Sequence, residues 1–216
     1  SFKNKKLLTD FNDSTRSDAA FVNTFNEGDE TIFNNKLKIL NILGVKNILD
    51  RKENGSTESD FPVDKFKLTY EKKDWKIFEN LNSVPRVLLS SEYIVFNNNR
   101  NFEEIFFSKS FNPVKTILLE EKPFFPSVKN ISSKESVNIK KYEAENIEIN
   151  VTANSNKLLF LSDIYFPGWN AYMDARRVKI LRADYAFRAV EIPKGNHIIK
   201  FVYKPFSFSL GLWITL

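Results

Sequence analysis

Strict two-residue alternation limits this chain more than any other feature of its sequence. Across residues 145–152, Ile147, Ile149 and Val151 are apolar, while Asn146, Glu148, Asn150 and Thr152 are polar. That period belongs to a half-buried β-strand and cannot serve a helix. Leu158–Leu161 is continuously apolar and reads as a central strand. Further strands are expected at Trp169–Met173, Val178–Leu181, Tyr185–Ile192 and Ile198–Tyr203, the last with Ile199, Phe201 and Tyr203 on one face. Short strands divided by turn residues, with no helix between them, predict an antiparallel β-sandwich.

The N-terminal part reads differently. Residues 1–28 are polar and mixed, an irregular leader. A helix follows, with Asp29 as N-cap, Glu30 in the first turn, and Phe33, Leu37 and Leu40 at helical spacing before Gly44 ends it. Val45–Leu49 reads as a short strand. Residues 50–64 carry turn residues without periodicity and are expected to form an exposed insertion. Strands are expected at Phe66–Tyr70, Trp75–Phe78, Pro85–Leu89, Ile94–Phe96 and Thr116–Leu119, with a helix over 100–108. Pro113, Pro123 and Pro126 punctuate the stretch that follows, and a boundary is placed within 122–134. The fold expected is therefore mainly β, with an α/β N-terminal subdomain over 1–125 and a C-terminal antiparallel β-sandwich over 126–208.

Composition narrows the function classes. The 216 residues are 42% hydrophobic and 27% charged, enough apolar chain for one large core or two small ones. Net charge is +5, which permits an acidic partner, but the cations are interleaved with 27 acids instead of gathered in a run. That distribution argues against nucleic acid as a partner. The absence of cysteine excludes disulfides, thiolate metal sites and cysteine nucleophiles. Six glycines form no phosphate loop, so no cofactor is expected. No signal peptide leads the sequence and no complete span of about 20 apolar residues occurs, so export would depend on flanking sequence.

Three segments in fixed order carry a resemblance. The first is Leu40–Leu49, reading Leu-Asn-Ile-Leu-Gly-Val-Lys-Asn-Ile-Leu, and the second is Trp75–Arg86, which ends in Ser83-Val84-Pro85-Arg86. The third begins Leu159-Phe160-Leu161-Ser162-Asp163-Ile164-Tyr165-Phe166-Pro167-Gly168-Trp169. It continues through Asp174, Leu181–Arg188 and Ile192–His197 to Tyr203-Lys204-Pro205. Together they resemble the C-terminal region of the YfhO family of multispanning membrane proteins. The resemblance runs from residue 37 to the end and is most specific over 157–211. It implies a parent with a GT-C-like membrane part that moves sugars from lipid-linked donors on the outer membrane face. The family has Asp-Gly after the Trp strand, whereas Ala175 follows Asp174 here, which leaves the turn type open but not the strand pairing.

In the family a membrane helix follows the sandwich. Residues 209–216 are accordingly expected to begin a truncated transmembrane helix within the mostly apolar stretch Phe206–Leu216, against the alternative of a last core strand. The domain would then lie on the extracytoplasmic face of the cell membrane. Its partners would be the membrane part of the same polypeptide, the bilayer surface, and a glycan or lipid-linked sugar.

Each candidate site has a plainer reading beside it. Trp169 in Pro167-Gly168-Trp169 is either a sugar-stacking platform or a core anchor, and Trp169, Tyr172, Tyr185 and Phe187 are the candidate glycan contacts. Arg176, Arg177, Lys179, Arg182 and Arg188 are candidate lipid-headgroup contacts, or else a solvated strand face. His197 is the only histidine, so any Ser-His pair must use it, but its place after a turn suggests local hydrogen bonding. Asp163, Asp174 and Asp184 have no metal-ligand spacing and read as turn or capping residues. Asn12, Asn54, Asn130 and Asn150 begin Asn-x-Ser/Thr triplets of little weight in so Asn-rich a chain. No catalytic or metal set emerges.

Two functions from different classes remain. One is a non-catalytic accessory domain of a membrane glycosyltransferase-like protein, with the family's catalytic acid expected in membrane-associated loops outside this segment. The other is a stand-alone carbohydrate-binding or protein-interaction module. Burial of the four candidate rings would count against a binding surface.

Overall fold

The computed structural model describes residues 30–51, 61–128 and 135–205. Two compact units are present, Ser1–Val84 and Pro85–Leu216.

The first unit is a helix and a three-stranded antiparallel sheet. Helix α1 (Glu30–Ile42) precedes β1 (Asn47–Arg51), β2 (Phe66–Lys72) and β3 (Trp75–Asn80), in sheet order β1-β3-β2. Gly44 stops the helix at φ +69°, a left-handed conformation that lets Val45 N–H return to Leu40 O at 3.0 Å. Leu37 and Leu40 pack with Ile48 and Phe66 around Phe61, whose ring stacks on Phe78 at 4.0 Å. Phe61 falls in the stretch expected to be an exposed insertion, yet it is only 4% exposed. Residues 52–60 lie outside the described residues, as does the 1–28 leader. Buried Asn80 joins the elements, donating from Nδ2 to Asn41 Oδ1 (2.8 Å) and Val45 O (3.0 Å).

The second unit is a sandwich of two sheets. Its elements are β4 (Val87–Ser90), β5 (Glu92–Val95), helix α2 (Asn99–Phe106), β6 (Thr116–Leu119), β7 (Ser136–Tyr142), β8 (Asn146–Ala153) and β9 (Lys157–Ile164). There follow β10 (Trp169–Met173), β11 (Arg176–Val178), β12 (Leu181–Ala183), β13 (Phe187–Ile192) and β14 (Gly195–Tyr203). One sheet has the order β11-β10-β14-β8-β7, the other β4-β9-β13-β12-β6-β5. All pairs are antiparallel except β5 with β6. Between the sheets, Ile147, Ile149 and Val151 meet Leu159, Leu161, Val190, Ile192, Ile199 and Phe201. β8 alternates because one of its faces is wet. β9 does not, because Leu158 and Phe160 on its other face are buried as well.

The chain divides at 84/85, not at 125/126 as expected. β4 pairs with β9 and β6 with β12, so segments assigned to the N-terminal part complete the sandwich's larger sheet. The Pro-rich stretch is stitched to the same unit, with Val128 N–H on Ser91 O and Phe124 N–H on Glu191 Oε2. The single strand expected at Val178–Leu181 is two: Val178 ends β11 in one sheet, and Leu181 begins β12 in the other. Strand β7 has no counterpart in the sequence reading. The membrane helix expected at 209–216 falls outside the described residues.

The β10–β11 hairpin turns on Asp174 (φ +49°) and Ala175 (φ +68°), with Met173 opposite Arg176. Ala175 thus holds the left-handed conformation that glycine takes freely. Ala175→Gly is expected to raise stability by about 1 kcal/mol, read as a higher urea midpoint with unchanged slope.

Asp184, in the β12–β13 turn, is buried. Its Oδ1 accepts Leu118 N–H at 2.9 Å, while Oδ2 has no partner among the described residues. Burial, only partly offset by that hydrogen bond, pushes its carboxyl from 3.8 up to about 7. Below 3.8 both folded and unfolded chains hold the proton. Between there and about 7 only the folded chain keeps it, so this group's contribution declines as pH rises and levels off above about 7. Urea unfolding should show that decline at up to about 1.4 kcal/mol per pH unit. Asp184→Asn, which keeps the acceptor for Leu118 N–H, should remove it.

Candidate functional site

Inward-facing parity places two charges inside the sandwich. On β9, Leu159 and Leu161 point to the core and Asp163 follows on the same side; on β13, Arg188 precedes Val190 and Ile192. The register between the strands jumps at this point, Phe187 facing Ile164 while Arg188 faces Leu161. That irregularity lets Asp163 reach back to Arg188. Nη2 of Arg188 lies 3.1 Å from Asp163 Oδ2, and Nε donates to the Asp163 carbonyl at 3.4 Å.

From the opposite sheet, the Trp169 ring lies 4.1 Å and the Phe201 ring 5.2 Å from the guanidinium carbon. Arg188 is 2% exposed. Burial lowers its pKa, opposed by Asp163 and Tyr142, though an arginine so paired stays charged at neutral pH. Asp163 Oδ1 accepts two more donors, Arg86 Nη1 at 2.8 Å and Tyr142 Oη at 2.9 Å. The Arg86 guanidinium also sits 5.1 Å over the Tyr142 ring. Burial raises the Tyr142 pKa, reinforced by the hydrogen bond to Asp163. One carboxylate therefore gathers donors from β7 of one sheet, from β13 of the other, and from the residue before β4.

Beside this cluster lies a cavity of about 530 Å³, lined by Tyr142, Ile147, Asp163, Phe166, Trp169, Arg188 and Tyr203 among others. The Trp169 and Tyr203 rings meet at 5.3 Å. Arg188 Nη1 has no hydrogen-bond partner among the described residues. A lining of rings with one carboxylate and one guanidinium suits a ligand that has both an apolar face and polar oxygens.

The four candidate glycan rings do not come together. Trp169 is half-buried on the inner face of β10, and Tyr172 lies on the opposite face of that strand, beside Lys200 and Arg177 in register. Tyr185 is 42% exposed at a turn against Phe102, and Phe187 is buried against Phe160. The rings actually grouped with Trp169 are Tyr142, Phe166 and Tyr203. Phe166 and Tyr203 stand in the segment that carried the resemblance; Tyr142 sits on the unforeseen strand β7.

Of the candidate headgroup cations, Arg176, Arg177 and Lys179 are exposed. Arg182 pairs with Glu120 at 3.2 Å and donates to the Tyr185 carbonyl at 2.6 Å. Arg188 is inside the sandwich, so it does not share a surface with the other four. Asp163, Asp174 and Asp184 have separate partners. Asp174 binds His197 Nδ1 (2.7 Å) and Ile198 N–H (3.0 Å), which hold its carboxyl below the usual range. Among the described residues no cluster of His, Asp and Glu suits a metal ion.

Removing one member of the Arg188–Asp163 pair strands the other. Asp163→Asn is expected to destabilise the chain by about 3 kcal/mol. Arg188→Met should cost less, because Asp163 keeps Arg86 and Tyr142, and the double variant should lose less than the two singles together. Urea unfolding of the four proteins measures this coupling.

Residues 110–215 match the family model described as bacterial membrane protein YfhO. No curated protein and no solved structure matches the chain. Among the described residues no helix is long and apolar enough to cross a membrane. The matched stretch holds β6 to β14, thus all of the five-stranded sheet and four strands of the other. Over residues 110–215, then, this chain is similar to the YfhO family of bacterial membrane proteins.

Proposed function

We propose that the chain is a non-catalytic accessory domain on the extracytoplasmic face of a glycosyltransferase-like membrane protein, where it binds or orients a glycan or a lipid-linked sugar. The observation that carries this reading is the ring-lined cavity beside Asp163 and Arg188. A pyranose presents a C–H face that packs on Trp or Tyr, and hydroxyls that pair with carboxylate and guanidinium. Asp163 already accepts from Arg86, Tyr142 and Arg188, which suits it to hold a geometry and not to shuttle a proton. Its partners on this reading are the membrane part of the same polypeptide and the bilayer surface. Similarity to a membrane-protein family favours this over a stand-alone module.

Two measurements test it. On a glycan array the purified chain should retain neutral oligosaccharides, with Trp169→Ala lowering affinity roughly tenfold, and should neither transfer nor hydrolyse sugar. Turnover by the isolated chain, or binding indifferent to Trp169, would overturn the reading. In the full-length protein freed of other cysteines, Lys194→Cys should react with a membrane-impermeant maleimide in intact cells; reaction only after permeabilisation would contradict the outer location.

A further inference from the structure

The loop from β9 to β10 presents an apolar tip to the surface. Ile164 is 68% exposed, Phe166 57% and Tyr165 41%. Three adjacent large apolar side chains facing water mark an interaction site. The tip is held in position. Tyr165 N–H donates to Ala186 O at 2.6 Å, Trp169 N–H to Phe166 O at 3.4 Å, and Lys204 N–H to Gly168 O at 2.7 Å. Gly168, at φ +104°, lies so near the end of β14 that a Cβ there would come within 2.8 Å of the Tyr203 ring and 3.1 Å of Pro205 Cα. The end of β14 and Pro205 therefore lie beside the tip, and residues 206–216 that follow are mostly apolar in sequence.

A groove of about 550 Å³ separates the tip from edge strand β11. Tyr165, Phe166, Trp169, Arg177 and Lys179 are among its lining residues. Arg177 Nη2 donates to Asn170 Oδ1 at 2.8 Å, and Lys179 pairs with Glu121. Lys204, whose N–H is bonded to Gly168 O, is also exposed.

From this juxtaposition we infer that Ile164–Phe166 enters the interfacial layer of an anionic phospholipid bilayer, with a headgroup phosphate in the groove against Arg177 and Lys179. Aromatic side chains favour the headgroup level, and each nearby cation adds attraction to anionic lipid. This site shares Phe166 and Trp169 with the ring-lined cavity but does not depend on a glycan.

The test is flotation of the 216-residue chain with vesicles of phosphatidylcholine, alone or with about one-quarter phosphatidylglycerol. The wild type should float with the anionic vesicles. Ile164→Asp/Phe166→Asp should weaken that binding roughly tenfold or more, and Arg177→Glu/Lys179→Glu should abolish the preference for phosphatidylglycerol. Both pairs are exposed, and circular dichroism checks that the variants fold. A fluorophore on Phe166→Cys should shift to the blue on anionic vesicles, while one on Lys194→Cys, at the far end of β14, should not. Binding unchanged in the tip variant would mean that residues 206–216 or general charge suffice, and would overturn the inference. So would a preference for anionic lipid that survives in Arg177→Glu/Lys179→Glu, or competition by millimolar inorganic phosphate as effective as vesicles. Each of these outcomes is read without glycan present, so it bears on the bilayer site alone.

Discussion

A guanidinium between the two sheets of a β-sandwich is the constraint around which this unit is arranged. Transferred there alone, Arg188 would cost several kcal/mol. Asp163 compensates it, brought alongside by the register jump between β9 and β13. The faces of Trp169 and Phe201 then receive the flat cation from the opposite sheet. Because Tyr142 on β7 and Arg86 before β4 both bond the same carboxylate, one polar group ties both sheets at this end. The cluster between the sheets is otherwise mostly aliphatic, with Ile149, Val151, Leu159 and Ile192 packed together. The cavity of about 530 Å³ opens beside this polar cluster, lined by the rings of Tyr142, Phe166, Trp169 and Tyr203.

Much of this could be read from the residues. β8 was visible because one face is wet and the other dry, and β6 and β10 lie where the sequence placed them. What stayed hidden was pairing between distant segments. Val87 meets Leu161, and nothing local to residues 85–119 says that these strands join a sheet formed mostly after residue 156. β7 was missed because it is an edge strand, bulged near Ile139 and rich in lysine, as exposed edges tend to be. The site was partly legible. Arg188 shares parity with Val190 and Ile192, and Asp163 with Leu159 and Leu161, yet β13 is buried on both faces. Local hydrophobicity there cannot separate an inward arginine from an outward one, and Arg188 was grouped with cations that prove exposed.

Chain turns carry the rest of the departure. Asp174, Ala175, Asp184 and Tyr185 all take positive φ, though none is glycine. Asp174 is held by His197 and Ile198, and Asp184 by Leu118, so side-chain acceptors stabilise the turns where glycine's freedom is missing. These hairpins aim the edge strand β11, with Arg176 and Arg177, and the turn bearing Tyr185. The sequence reads Asp174 and Asp184 as turn or capping residues, and the geometry agrees. Asp163 instead accepts from the side chains of Arg86, Tyr142 and Arg188.

Trp169 lines both the cavity and the groove, and Phe166 does the same from the loop. The two spaces therefore share a wall of rings at the end of the sandwich where the chain passes Pro205. A sugar attached to a membrane lipid is confined to within a headgroup or so of the bilayer, so a subsite for it must open at that level. If the apolar tip does seat in the interface, the cavity behind Trp169 opens there by construction, with no hinge or extension of the domain. Arg188 then has a second consequence beyond packing: by fixing the plane of Trp169 it sets the wall that divides lipid from glycan, coupling the depth at which the tip sits to the orientation of whatever occupies the cavity.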